Sequence, residues 1–163
     1  MPVANPIENA VRSFQQNRSV LEKSCKGLTA EEWLESPKKS SNNILWIAGH
    51  IVWARSMALK FLGAPAWSKP WLSHFARGTK RDDGAQYPSP DEVLSAFDDV
   101  SRSLTEGLEN VAAEVLESPA PPNSPPGDGK VSGVINFFAY HETYHVGQVA
   151  YLRCWLGHEG PTG

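Results

Sequence analysis

The side chains of this chain best spaced for chemistry are His141 and His145, four residues apart in His141-Glu142-Thr143-Tyr144-His145-Val146-Gly147-Gln148. On a helix they project from one face, one turn apart, and can bind one metal. Imidazole nitrogen suits zinc, nickel, copper or iron. The plain alternative is two polar side chains packed at a helix interface. The segment also matches HExxH, in which Glu142 would be a general base acting on metal-bound water. The rest of the chain argues against a protease. The positions where the glycine and the third histidine of an extended motif would fall hold Gln148 and Tyr151. Only 18 residues follow His145, and no strand pattern offers an edge for a peptide. Glu142-x-x-His145 is half of a di-iron motif, but residues 43–62 contain no acid to complete a dinuclear centre.

The better third ligand is His50. It sits inside the longest apolar run, Ile44 to Ala54. A charged, unpartnered histidine there would be costly, so it is neutral, hydrogen-bonded or metal-bound. A satisfied core histidine is the usual outcome for one such residue. Joined to an i, i+4 pair on a second buried helix, it points to three neutral imidazoles around one ion with open positions. That is the donor set of a catalytic rather than a structural site.

Four long helices must carry these residues. The first is expected from about Pro6 to Lys26, with Asn5 as cap, Glu8 as the reciprocal acid and Gly27 as stop. Thr29 and Glu32 have capping-box spacing for a short helix. The second runs from about Asn43 to Leu62, apolar nearly all round through Trp53 and therefore buried, and stops at Gly63. The third opens on Ser89-Pro90-Asp91-Glu92 and keeps apolar residues in helical phase as far as Val111. The fourth runs from about Ser132 to Leu156 and stops at Gly157. Residues 118–129 hold five prolines and two glycines and cannot be regular helix. Residues 63–88 read as an ordered loop with one short helix, because Trp67, Trp71 and Phe75 need burial. His74 in that loop is a candidate to reach the site. Four helices and two long connections give an all-α four-helix bundle.

These residues together resemble the DinB/YfiT-like family. The resemblance is carried by Ile44-Leu45-Trp46-Ile47-Ala48-Gly49-His50-Ile51 and by His141-Glu142-x-x-His145-x-Gly147-Gln148-x-x-x-Leu152-Arg153-x-x-x-Gly157. It spans nearly the whole chain, from the first helix to Gly157. It implies a bundle of the up-up-down-down type with His50, His141 and His145 as ligands to one divalent metal, zinc or nickel. It further implies a thiol-dependent enzyme, an S-transferase or isomerase. Characterised members transfer a low-molecular-weight thiol such as bacillithiol, or use mycothiol to isomerise maleylpyruvate. Homodimers are common in the family, so a homodimer is expected. The donor set also fits a metal hydrolase, and the fold fits a non-catalytic metal- or small-molecule-binding bundle.

Helical phase picks out neighbours of the ligands. Gln148, seven residues after His141, faces the same way and is a candidate to touch a ligand or water. Glu142 is turned about 100° from His141, which suits a partner that orients an imidazole, a base, or an interhelix ion pair. Asn43 and Met57 flank His50 along its helix. Cys25 and Cys154 read as small buried residues and His158 as solvated. Arg153 reads as an ion-pair partner or a holder of a substrate carboxylate, and Trp46, Trp53 and Trp155 as core.

Length and charge bound the rest. At 163 residues the chain is one domain, 1–163, large enough for a core without disulfides. Hydrophobic residues make up 40% and charged residues 20%, an ordinary soluble composition. Fifteen basic and 18 acidic residues give a net charge of −3 and a pI near 5.9, which offers no broad surface to nucleic acid. No run approaches the ~20 apolar residues of a membrane span. The first residues carry no basic-then-apolar leader, and the two cysteines lack CxxC spacing. A cytoplasmic protein acting on a small molecule is the expectation.

Overall fold

The computed structural model describes residues 5–82 and 86–162. Among them are six α-helices, α1 (Glu8–Cys25), α2 (Ala30–Leu34), α3 (Ile44–Phe61), α4 (Pro90–Asn110), α5 (Ala113–Glu117) and α6 (Val131–Trp155). A 3-10 turn, Leu72–Phe75, lies in the long connection, and one isolated bridge joins Pro119 to Lys130. No strand occurs among the described residues.

Local chemistry sets the helix limits. Both expected capping boxes form. The Thr29 and Ser89 hydroxyls each accept from the N–H of the glutamate three residues on, and each glutamate reaches back to the cap N–H. Asn43 caps α3 by accepting from Trp46 N–H at 2.9 Å, and its amide donates to the Leu34 carbonyl. Gly27, Gly63 and Gly157 adopt positive φ and end α1, α3 and α6. Two boundaries differ from expectation. The Asn5 side chain accepts from Ile7 N–H, but Glu8 pairs with Arg12 instead of closing a box. Helix α4 ends at Asn110, where Val111 turns extended, and α5 follows.

The long helices pack in a ring in which α6 lies between α1 and α3, and α4 closes it against α3 and α1. Helix α3 is buried without a break over 43–52, because α2, α4, α6 and the 3-10 turn all cover it. Its Ile47, Ile51 and Leu59 join Phe14 and Leu21 of α1, Phe97 and Leu104 of α4, and Ile135 and Val149 of α6 in one core. Each such side chain stabilises the fold by about 1.5–3 kcal/mol through burial.

Contacts between helices fix their directions. Asn17 meets Thr143, and Arg153 reaches the Ser24 carbonyl, so α1 and α6 run parallel. Phe61 packs against Phe138 while His50 meets His145, so α3 runs against α6. Arg55 meets Ser101, and Gly107 sits beside Leu59 and Leu62, so α4 runs with α3. In chain order the long helices therefore run up, down, down, up. This corrects the expected up-up-down-down order. The physical consequence lies in the connection from α3 to α4. Parallel neighbours require the chain to travel back the length of α3, about 27 Å at 1.5 Å per residue, and residues 62–89 make that return. Residues 83–85 of that connection lie outside the described residues.

Candidate metal centre

Helix α3 supplies His50, and α6 supplies His141 and His145. One ligand nitrogen from each lies within 4.8 Å of the others. The His50 and His141 Nε2 atoms are 3.4 Å apart, and those of His141 and His145 are 3.1 Å apart. Zn–N bonds of about 2.0–2.1 Å at tetrahedral angles would set such nitrogens about 3.3 Å apart. His50 is 4% exposed, while the other two are half-buried, so the cluster is closed on the α3 side and open along α6.

The far side of each ring decides which nitrogen holds the proton. His50 Nδ1 lies 2.7 Å from the Phe75 carbonyl, which can only accept. The proton is therefore on Nδ1, and Nε2 presents its lone pair to the cluster. His145 Nδ1 lies 2.8 Å from Gln148 Oε1, whose amide nitrogen donates to the Tyr144 hydroxyl. Again Nε2 is left as an acceptor. His141 Nδ1 is buried and has no partner. A proton on His141 Nε2 serves one of the two facing lone pairs and leaves the other unmet. A cation at the centre serves all three, so the residues present fit a metal.

Electrostatics favour the same neutral state. Burial pushes His50 down to about 4, joined by His145 and opposed by the Phe75 carbonyl. Burial, then His145, His50 and Arg77, push His141 down to about 4. Burial also lowers His145, against the raising effects of Gln148 and Glu142. Three unprotonated imidazoles at neutral pH are metal-competent donors.

Aromatic rings wall the cluster. His50 is stacked between Trp46 and Trp53, at 5.1 and 5.3 Å between centroids. Phe137 stacks on His141, and Tyr144 packs edge-on to His145. A family model of the DinB superfamily matches residues 13–149, a span that takes in all three histidines. The chain belongs to the DinB superfamily. No curated protein matches it.

Within this DinB-superfamily chain the other singled-out residues divide. Gln148 touches a histidine, as its phase suggested. Glu142 does not act on the cluster's open side. It is 1% exposed, and Arg55 holds both its oxygens at 2.7 Å. As a catalytic candidate it is corrected to an interhelix ion-pair partner, because its carboxylate is buried and turned onto Arg55. His74 is exposed, packed edge-on to Tyr87, and Phe75 beside it provides the contact to His50. His158 is half-buried against Glu32 at 2.8 Å rather than solvated. Arg153 donates to the carbonyls of Ser24, Lys26 and Glu159 and so ties down the end of α1. Cys25 is buried, its thiol pushed up to about 12 by burial, whereas Cys154 and Trp155 are exposed on α6.

Sequence reasoning missed two contributors. The Phe75 carbonyl is a main-chain group and has no residue-type signal. Arg55 had one. It is the first charge in an apolar helix, and Glu142 is the sole acid within α6. Two opposite charges, each isolated on a buried helix, predict a pair.

Of two surface hollows, one is lined by residues that touch the cluster. Tyr144, Gln148 and Tyr151 line this one, of about 540 Å³, with Ser41, Asn42 and Ile47. The larger one, about 880 Å³, lies between α1, α2 and α4, away from the histidines.

Proposed function

We propose that this chain is a metal-dependent enzyme with a mononuclear three-histidine site, using a low-molecular-weight thiol in S-transfer or isomerisation of a small molecule. The observation that carries the reading is the convergence of three Nε2 atoms, two of them with lone pairs fixed by Phe75 and Gln148. A bound divalent ion, zinc or nickel, would supply the Lewis acidity that lowers the pKa of a thiol. His50, His141 and His145 would hold it. Trp46 and Trp53 keep water from the His50 side, and the half-buried edges of His141 and His145 leave room for substrate. The hollow lined by Gln148 and Tyr144 offers room for the remainder of the substrate. Membership of the DinB superfamily supports the thiol chemistry, and four long helices packed in a ring support its bundle architecture.

A homodimer in the cytoplasm belongs to the same proposal. Tyr140, Tyr144, Tyr151 and Trp155 leave an exposed aromatic face along α6, and both cysteines are free. No helix is long and apolar enough to cross a membrane among the described residues.

The test is metal content per chain, by elemental analysis of untagged protein, with His50→Ala and His158→Ala beside it. About one ion per chain in wild type and His158→Ala, lost in His50→Ala, is expected. No metal after incubation with zinc or nickel would sink the proposal. Loaded protein that never consumes an electrophile in the presence of thiol would reduce it to a metal-binding bundle. Ester hydrolysis without thiol would make it a hydrolase.

A further inference from the structure

Five residues beyond His50 on α3, Arg55 is 2% exposed, and its guanidinium is engaged from each of the three other long helices. Its Nε and Nη2 donate to the two Glu142 oxygens of α6, both at 2.7 Å. Nη1 donates to Ser101 Oγ of α4 at 2.6 Å, and Nη2 also donates to the Phe14 carbonyl of α1 at 3.0 Å. The Phe97 and Phe14 rings cover the guanidinium at 4.6 and 5.5 Å. Ser101 Oγ in turn donates to the Phe97 carbonyl. Four of the five guanidinium N–H groups thus have acceptors.

Stability alone is a weak reason for such a pair. A buried ion pair replaced by apolar groups of similar volume is often neutral or better for folding. What the pair supplies is direction. A bidentate guanidinium–carboxylate contact accepts one planar arrangement. Glu142 directly follows His141 and precedes His145 by three residues. Holding its carboxylate therefore fixes the rotation of α6 at the turn that carries both histidines. Arg55 is itself tied to α1 and α4, so that rotation is referred to the whole bundle. A turn of α6 by one residue would swing each imidazole by about 100°.

We propose that Arg55 and Glu142 are positioning residues for the histidine cluster, setting the rotation of α6 that brings His141 and His145 onto His50. The proposal rests on the reading of that cluster as a metal centre, and its test separates the two. The imidazole nitrogen resonances of metal-free wild type, Glu142→Gln and the apolar double variant Arg55→Met/Glu142→Leu report how the rings face one another. Zinc titration then gives affinity, and the cobalt spectrum gives coordination geometry. Leu104→Ala, a core truncation on α4 away from the site, controls for lost stability alone.

Expected are folded proteins in which Glu142→Gln and the double variant shift the His141 and His145 resonances, weaken zinc ten- to hundredfold and alter the cobalt spectrum. Leu104→Ala should lower the melting temperature and move none of these. If Glu142→Gln fails to fold around the unpaired arginine, the double variant decides. Wild-type resonances and affinity in a folded double variant overturn the proposal. So does a double variant that cannot fold, which would make the pair a folding requirement instead. Should wild type bind no metal, the metal reading falls, while the metal-free resonances still decide whether the pair positions the rings.

Discussion

Helices α3 and α6 meet at two polar places, and they are built on opposite principles. Around Arg55 and Glu142 both charges are buried, both carboxylate oxygens are held, and hydrogen bonds reach α1 and α4. Around His50, His141 and His145 two lone pairs point inward, one buried Nδ1 has no partner, and one edge is open. A buried polar group without a partner costs stability, so the second place is the one that a bound cation would satisfy. The contrast shows how one helix pair divides its work. One contact is closed, as suits the positioning role proposed for it, and the other has the donors to take a ligand.

Acid should tell the two apart with the largest effect. His50 and His141 titrate at about 4 in the folded chain, against 6.5 when unfolded. Between those values the unfolded chain binds more protons, so stability falls as pH falls. The contribution is complete above about 6.5 and is lost progressively as pH drops toward 4. In chelator, thermal unfolding from pH 7.5 to 5 should show a declining midpoint, before carboxylates begin to titrate. His141→Ala should flatten that decline. An equal decline in the variant would mean that the cluster is not the source.

Much of this architecture is legible in the sequence because it rests on local chemistry. The Ser89 and Thr29 boxes, the glycine stops and the apolar run around His50 are written in adjacent residues. The histidine pair is legible because i, i+4 spacing fixes a face whatever the helix packs against. Helix direction is not local. Whether α4 runs with or against α3 depends on how the 62–89 connection returns, and its composition does not say. The partner of His50 is a main-chain carbonyl, which any residue at position 75 would carry. Glu142 stands beside a histidine in a familiar motif, which masks its other signal, a lone acid on one buried helix matching Arg55, the first charge of another.

The next effect tests how the 3-10 turn reaches His50. A Cβ on Gly49 would lie 2.5 Å from the Phe75 ring, which is fully buried and cannot swing away. Gly49→Ala should cost about 1–3 kcal/mol through overpacking. It should also weaken zinc binding, because displacing Phe75 moves the carbonyl that fixes the His50 proton. Gly147, inside α6, has nothing within 4 Å of the same position. Gly147→Ala should therefore stabilise by about 0.5–1 kcal/mol, the ordinary helix preference. Chemical denaturation of both variants checks the signs, and a Gly49→Ala protein as stable as wild type would refute the close contact.

The smallest effect concerns the one side chain that completes a histidine from outside the cluster. Gln148 Oε1 accepts from His145 Nδ1, and the same amide donates to Tyr144. Gln148→Leu removes the acceptor, so His145 is free to carry its proton on Nε2, where it would block a metal. About tenfold weaker zinc binding is expected, at the low end for loss of a partner that orients a ligand. Gln148→Glu keeps an oxygen in place and should bind within a few-fold of wild type. The pair discriminates between two roles for the residue. If Leu and Glu weaken zinc equally, Gln148 matters through its link to Tyr144 and not through the tautomer. If neither does, the open side of the cluster is held by packing alone, and the contrast with the Arg55 contact becomes sharper still.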